Sequence, residues 1–307
     1  LPPSAGKRTF QDEWSVVMQW MQRLGLVAML GMLSIGQVAA RTSEATEQVE
    51  ATMNVAGELT LTPDGTVTAV TLTNEDSLPP AVRSRIRQSI AGWRFDPVTD
   101  SATALPTTLP MRLLLVAKPG EKNQYLVSIR SAHFGGEASD GSSVRAKDMT
   151  PPSYPKAAFQ DGATGIVYLL LKIGRDGKVA DLVAEQVNLT VSIPAAKRER
   201  VRKTLADASI AKARTWTFDP PGDGPERTAP YWTMRVPVSF DITDSIRDLR
   251  KRQASWRSYL PGPRQSAPWS DQGMLASATD SPDALPDSGL FSARGEGVRL
   301  LTPLQGG

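Results

Sequence analysis

The sequence predicts an α+β chain of two tandem ββαβ units, each a small antiparallel sheet packed on one helix. Three observations predict it. Apolar residues alternate on both sides of an Asp-Gly turn at two places, Asp64-Gly65 and Asp176-Gly177. A stripe of apolar residues at helical spacing follows each hairpin. Trp93-Arg-Phe-Asp-Pro97 then recurs as Trp216-Thr-Phe-Asp-Pro220, with four of five residues shared. Period 2 marks a half-buried strand and period 3.6 an amphipathic helix. Such a unit buries one sheet face under one helix.

In chain order, residues 1–40 read as an upstream extension followed by a secretory signal. Leu24 to Ile35 is an uncharged, mostly apolar run preceded by Arg23. It ends near Val38-Ala-Ala40, small residues of the kind a signal peptidase reads. The run is short of the about 20 residues that span a bilayer. Cleavage after Ala40 is the expectation, with a start at Met18 or Met21. Retention of residues 18–40 as a membrane anchor is the alternative. Residues 41–54 are polar and read as a linker. They hold no proline and, fully extended, would reach roughly 50 Å.

The first unit is expected over residues 55–132. Val55, Gly57, Leu59 and Leu61 alternate with polar or small neighbours, and Pro63-Asp64-Gly65 is turn chemistry. Val67 to Leu72 returns. Pro79-Pro80 opens a helix, where a fixed φ and a missing N–H cost nothing. Val82, Ile86, Ile90 and Trp93 form its stripe, and Gly92 ends it. Met111 to Val116 is a third strand, and Gln124 to Ile129 a candidate fourth. Residues 133–149 are rich in Gly, Ser, Asp and Lys and read as a linker.

The second unit is expected over residues 150–242. Gly165 to Ile173 is a strand, Arg175-Asp176-Gly177 the turn, and Lys178 to Val187 the return strand. Pro194 opens a helix with Val201, Leu205 and Ala208 on one face. Tyr231 to Phe240 is the last strand. Pro237 cannot donate a ladder hydrogen bond, which argues for an edge or a bulge there. Residues 243–260 read as a short basic helix. Residues 261–307 are Pro-, Gly-, Ser- and Asp-rich and read as a disordered tail.

Chemistry is sparse. There is no cysteine, which excludes disulfides and thiolate sites. Net charge is +3, with both signs mixed, and no concentrated basic face suits nucleic acid. His133 is the only histidine and has no evident catalytic partner. Asp64 and Asp176 read as turn residues, and Asp96 and Asp219, each before proline, as turn starts. The run Lys197 to Lys203 reads as a solvated helix face. Trp93, Phe95, Trp216 and Phe218 read as core residues. No catalytic, cofactor or metal site is expected, and the chain is not read as an enzyme.

The second unit resembles the C-terminal domain of the TonB energy-transducer family. The resemblance is carried by Tyr154-Pro155, Ala158, Gly162, Gly165, Asp176-Gly177, Trp216-Thr-Phe218 and Val236-Pro-Val-Ser-Phe240. The first unit resembles the same domain without the Tyr-Pro element. The resemblance implies a periplasmic protein that contacts outer-membrane transporters. It also implies that an extended peptide, the TonB box, is captured as an added strand. By resemblance the peptide site involves Tyr154, Pro155, Thr233, Arg235, Val236 and Val238. Inner-membrane motor proteins are implied as partners if the chain is anchored. Two rival readings stay open. One is a complete membrane-anchored transducer; the other is an envelope scaffold that binds peptidoglycan or pairs with itself as a homodimer.

Overall fold

The computed structural model describes residues 49–97, 106–119, 125–135, 141–242, 255–270, 281–293 and 298–304. The expected signal segment and residues 243–254 lie outside the described residues. The fold is mixed α+β with antiparallel sheets and few helices.

The first sheet is built on a hairpin, β1 (Glu50–Leu61) and β2 (Val67–Leu72). Helix α1 (Pro80–Ala91) follows, then β3 (Thr107–Pro119) and β4 (Tyr125–Phe134). β3 pairs the whole length of β1, from Leu61↔Thr107 to Ala51↔Ala117. β4 pairs β3 on its far side. Strand β10 (Arg257–Tyr259) shares the other edge of β1 with β2. Val82, Ile86 and Ile90 are buried on one face of α1, as the stripe predicts. They meet Leu59, Leu61, Leu113 and Leu115 from the sheet. Trp93, Phe95 and Phe134 stack edge-to-face at the end of this core, with ring centroids 4.9–6.4 Å apart.

The second sheet has the order β11-β9-β6-β7. It comprises β6 (Gly165–Gly174), β7 (Val179–Leu189), β9 (Tyr231–Phe240) and the two-residue β11 (Phe291–Ser292). Helix α2 (Lys156–Gln160) precedes β6, and helix α3 (Ala195–Ala213) lies between β7 and β9. Val201 and Leu205 of α3 are buried, followed by Ser209 and Ala213. Ser209 donates its hydroxyl to the Leu205 carbonyl, which lets a polar residue sit on the core face. A separate pair joins β5 (Arg145–Asp148) to β8 (Thr217–Asp219).

One local device recurs. The Phe95 N–H donates to the Gly65 carbonyl at 2.9 Å, and the Phe218 N–H to the Gly177 carbonyl at 2.8 Å. Both glycines have φ > 0, at 80° and 73°. A Cβ there would stand 2.0 Å from the Phe95 oxygen and 2.1 Å from the Phe218 oxygen. The Trp-x-Phe-Asp-Pro motif therefore docks on the back of the Asp-Gly turn, and only glycine lets the two backbones approach.

The chain beyond residue 255 departs from the sequence expectation. Residues 261–307 were expected to be disordered, and the described part of that segment is packed instead. Ala267, Ala284, Leu285, Phe291, Ala293 and Leu300 are all buried. The cause lies in β6. Val167, Leu169, Leu171 and Ile173 face the core with α3, and Ile166, Tyr168 and Leu170 point the other way. Those three are covered by Leu285, Phe291, Ala267 and Ala293. A strand that is apolar on both faces needs two covering layers, and the tail supplies the second. Likewise residues 257–259, inside the expected basic helix 243–260, are strand β10. The expected linker 133–149 holds the end of β4 and all of β5.

Candidate functional site

The residues singled out by resemblance gather around β9. Its inner edge pairs β6 without a break, from Gly165↔Phe240 to Gly174↔Tyr231. Among the described residues its outer edge meets only β11, through Phe291↔Arg235 and Ser292↔Met234. The Ala293 N–H donates to the Thr233 carbonyl at 2.9 Å, so Thr233 presents its backbone groups outward. In an antiparallel strand a residue's N–H and C=O share a side and the side alternates. Arg235, Pro237 and Ser239 therefore also face outward. Pro237 has no N–H to offer, and it falls where the β6 ladder does not need one. Val236 and Val238 turn their main chain to β6 and their side chains into the core below α3.

Tyr154 and Pro155 lie at the Phe240 end of β9. The Tyr154 ring packs edge-to-face on Phe240 and Phe159, with centroids 5.4 and 5.7 Å away. Its hydroxyl donates to the Ala163 carbonyl. Burial, then the nearby Asp241 charge, pushes this phenol up to about 12. Pro155 is the N-cap of α2 and is extended, with its φ of −64° set by the ring. Phe159, whose ring meets Tyr154, remains 56% exposed.

The Arg235 side chain is committed inward. It meets Glu185 on β7 at two points, Nε to Oε2 at 2.8 Å and Nη2 to Oε1 at 3.1 Å. Arg264 from the tail adds a third contact, Nη2 to Oε1 at 2.6 Å. Glu185 is wholly buried. It is also the extra residue of a β-bulge, since Tyr168 pairs Gln186 and Leu169 pairs Ala184. A bulge turns one more side chain out of the alternation, and here it aims a carboxylate at two arginines.

A second polar cluster fastens the tail to β7. The Asn188 amide donates to the Tyr259 hydroxyl at 2.6 Å and to the Asp283 carboxylate at 2.9 Å. The Gly262 N–H donates to Asn188 Oδ1, and Gln186 donates to the Gly262 carbonyl. Burial raises the Asp283 carboxyl, against hydrogen bonds from Tyr259 and Asn188. Burial and the Asp283 charge raise the Tyr259 phenol. The helix face 197–203, expected to be solvated, takes part. Lys197 and Arg200 pair with Asp161, but Arg202 donates to the carbonyls of Val187, Leu260 and Pro261.

His133, expected in a linker, ends β4 instead and stands 5.4 Å from the Phe291 ring. Burial, then Arg112 and Arg235, lowers it to about 4, so it is neutral at pH 7. Trp93, Phe95, Trp216 and Phe218 are each at most 3% exposed. Asp64 and Asp176 serve their turns. Asp64 accepts from the Thr66 hydroxyl at 3.1 Å and Asp176 from the Lys178 N–H at 3.1 Å. Sequence reasoning missed Glu185, Asn188, Tyr259, Arg264, Asp283 and Phe291. One available signal was Glu185-Gln-Val-Asn188, three polar residues in four at the end of a strand that packs against the core.

Among the described residues no group of three or more His, Asp or Glu could hold a metal ion. No helix among them is long and apolar enough to cross a membrane. No protein-family model matches the chain, and no solved structure matches it significantly. Two curated relatives do. Protein TonB of Xanthomonas campestris pv. campestris strain B100 is 32% identical over 99 residues, which is 32% of this chain and 38% of that protein. Protein TonB of strain ATCC 33913 of the same pathovar matches to the same extent. The chain thus spans less than two fifths of the length of the relatives it matches. Over about a third of its own length it is similar to Protein TonB, which supports a relation to the TonB family.

Proposed function

We propose that this chain is a non-catalytic, TonB-like protein of the bacterial envelope that serves energy-dependent transport across the outer membrane. It binds extended peptides of outer-membrane transporters by adding them as a strand to β9. One observation carries the reading. In a chain 32% identical to Protein TonB over 99 residues, the outer edge of β9 is met, among the described residues, by the short β11 alone. An edge strand with outward N–H and C=O groups is the template that strand addition needs. Tyr154, Pro155 and the exposed Phe159 lie at the Phe240 end of that strand and, in this reading, offer apolar surface to peptide side chains. The first sheet and its helix form a unit of the same design as the second, diverged from it and without the Tyr-Pro element. Its recurring Gly–Phe backbone contact favours a duplication. The action takes place in the periplasm. Inner-membrane motor proteins are partners if residues 18–40 remain as an anchor.

NMR shift mapping on the full chain, with TonB-box peptides of outer-membrane transporters, tests this. Shifts are expected at Thr233, Arg235 and Ser239 and around Tyr154. Ser239→Pro removes an outward N–H without touching the β6 ladder and should abolish binding. Lys197→Ala and Arg200→Ala on α3 should leave it unchanged. Shifts confined to α3, or no binding at millimolar peptide (about −4 kcal/mol) by the native chain or by its Ala293→Pro variant, would sink strand capture.

A further inference from the structure

We infer that β11 is a built-in strand ligand: the chain's own segment 290–293 occupies the β9 edge, and a partner peptide binds only by displacing it. This rests on the strand-capture reading of β9 and adds its regulation.

The occupancy is specific. β11 runs antiparallel to β9 and takes the outward groups of Thr233 and the register of Arg235. These are two of the residues a captured peptide needs. Phe291 anchors it. Its ring is 4% exposed, packs with Ile166, Tyr168 and Leu285, and meets the His133 ring edge-on. A side chain seated so deeply beside a two-residue strand is the pattern of a bound peptide, with main-chain pairing for affinity and one pocket for selection.

The occupancy is also short. In the first sheet β3 holds the corresponding place beside β1, and β4 fills its outer edge over nine residue pairs. On β9 the described residues pair two, with one further bond from Ala293 to Thr233. The fold closes both edges with its own strands, one by a long ladder and one by a minimal one. A longer peptide can pair Pro237 to Phe240 as well, so it gains contacts that β11 does not make. The rest of the tail is fastened by bonds of its own, to Asn188, Arg202 and Glu185, none of which is made by residues 290–293.

Competition of this kind divides apparent affinity by the open fraction. An edge open about a tenth of the time binds about tenfold more weakly than a free one. The test uses the full chain, Ala293→Pro, which removes the donor to Thr233, and Phe291→Ala, which removes the anchor. Circular dichroism and tryptophan emission check that each is folded. Two probes are titrated by calorimetry: a synthetic peptide copying residues 284–293, and a TonB-box peptide. Both variants are expected to bind both peptides at least about tenfold more tightly than the native chain does. Equal binding of the TonB-box peptide to native chain and variants overturns self-occupancy and leaves strand capture standing. Variants that take only the peptide copy uphold self-occupancy and overturn transporter-peptide capture. No binding of either peptide to any of the three overturns both.

Discussion

Arg235 and Glu185 form a two-point ion pair across the second sheet, 2.8 and 3.1 Å long, with both side chains buried. The family resemblance marked Arg235 as a peptide contact. Its backbone faces the outer edge, while its charge is used inside. Removing one partner of a buried pair leaves the other uncompensated, which costs more than the pair contributes. Arg235→Ala should therefore destabilise the chain by about 3 kcal/mol, the low end of the usual range because Arg264 still contacts Glu185. Replacing both with apolar residues, Arg235→Met with Glu185→Leu, should recover most of that loss. Urea melts of the three variants check it, and a double variant no better than Arg235→Ala would contradict the account.

The turn glycines give a sharper contrast. Gly177 and Gly162 both have φ > 0, at 73° and 62°. A Cβ on Gly177 meets the Phe218 oxygen at 2.1 Å, whereas one on Gly162 meets nothing within 4 Å. Gly162→Ala should cost only the left-handed penalty of about 1 kcal/mol. Gly177→Ala adds a backbone clash and should cost at least about 3 kcal/mol and weaken the Phe218–Gly177 hydrogen bond. Thermal melts with hydrogen exchange at Phe218 separate the two.

Trp216 tests the core of the second sheet. Its ring is 3% exposed and its indole N–H donates to the Thr150 carbonyl at 2.8 Å. Trp216→Ala should cost about 3–5 kcal/mol. Trp216→Phe keeps most of the apolar contact and loses the hydrogen bond, for about 1–2 kcal/mol. If denaturant midpoints of the two variants coincide, the hydrogen bond rather than packing dominates.

Much of this architecture was legible in the chain. The Asp-Gly turns, the stripe from Val82 to Ile90 and the repeated Trp-x-Phe-Asp-Pro motif each report a local rule, so sequence spacing suffices. The tail was not legible, because its order is imposed from outside. Ala267, Leu285 and Phe291 are scattered among prolines and glycines and show no period. They are fixed by the far face of β6 and, for Phe291, by β9 and His133. The hint was the unbroken run Ile166-Val-Tyr-Leu-Leu-Leu171, too apolar for a strand with one wet face. His133 was misplaced for the same reason. Gly135-Gly136 suggested a linker, but the strand continues to Phe134 because β3 is long enough to pair it. Of the candidate site, the outward parity of Thr233 and Arg235 follows from the strand alone. The strand that meets them comes from far along the chain.

His133 ties pH to that contact. Its ring faces Phe291 on β11, and the charges acting on it are Arg112 of β3 and Arg235 of β9. Burial and these two cations hold it at about 4, below the ordinary value near 6.5. The folded state therefore keeps His133 neutral where the unfolded chain takes up a proton. Between about 6.5 and 4 the unfolded state binds more protons, so stability falls as pH falls through that window. The stabilisation is whole above pH 6.5 and lost by about pH 4. The full loss is up to about 3 kcal/mol. His133→Phe should flatten the slope of stability between pH 6.5 and 4 and leave stability at pH 8 nearly unchanged. The protonated ring would sit against Phe291 and two arginines, so β11 should loosen before the chain unfolds. Hydrogen exchange at Ala293, compared at pH 7 and pH 5 after correction for intrinsic rates, should show faster opening at pH 5 in the native chain and none in His133→Phe. Equal protection at both pH values in the native chain would separate His133 from the β9 edge.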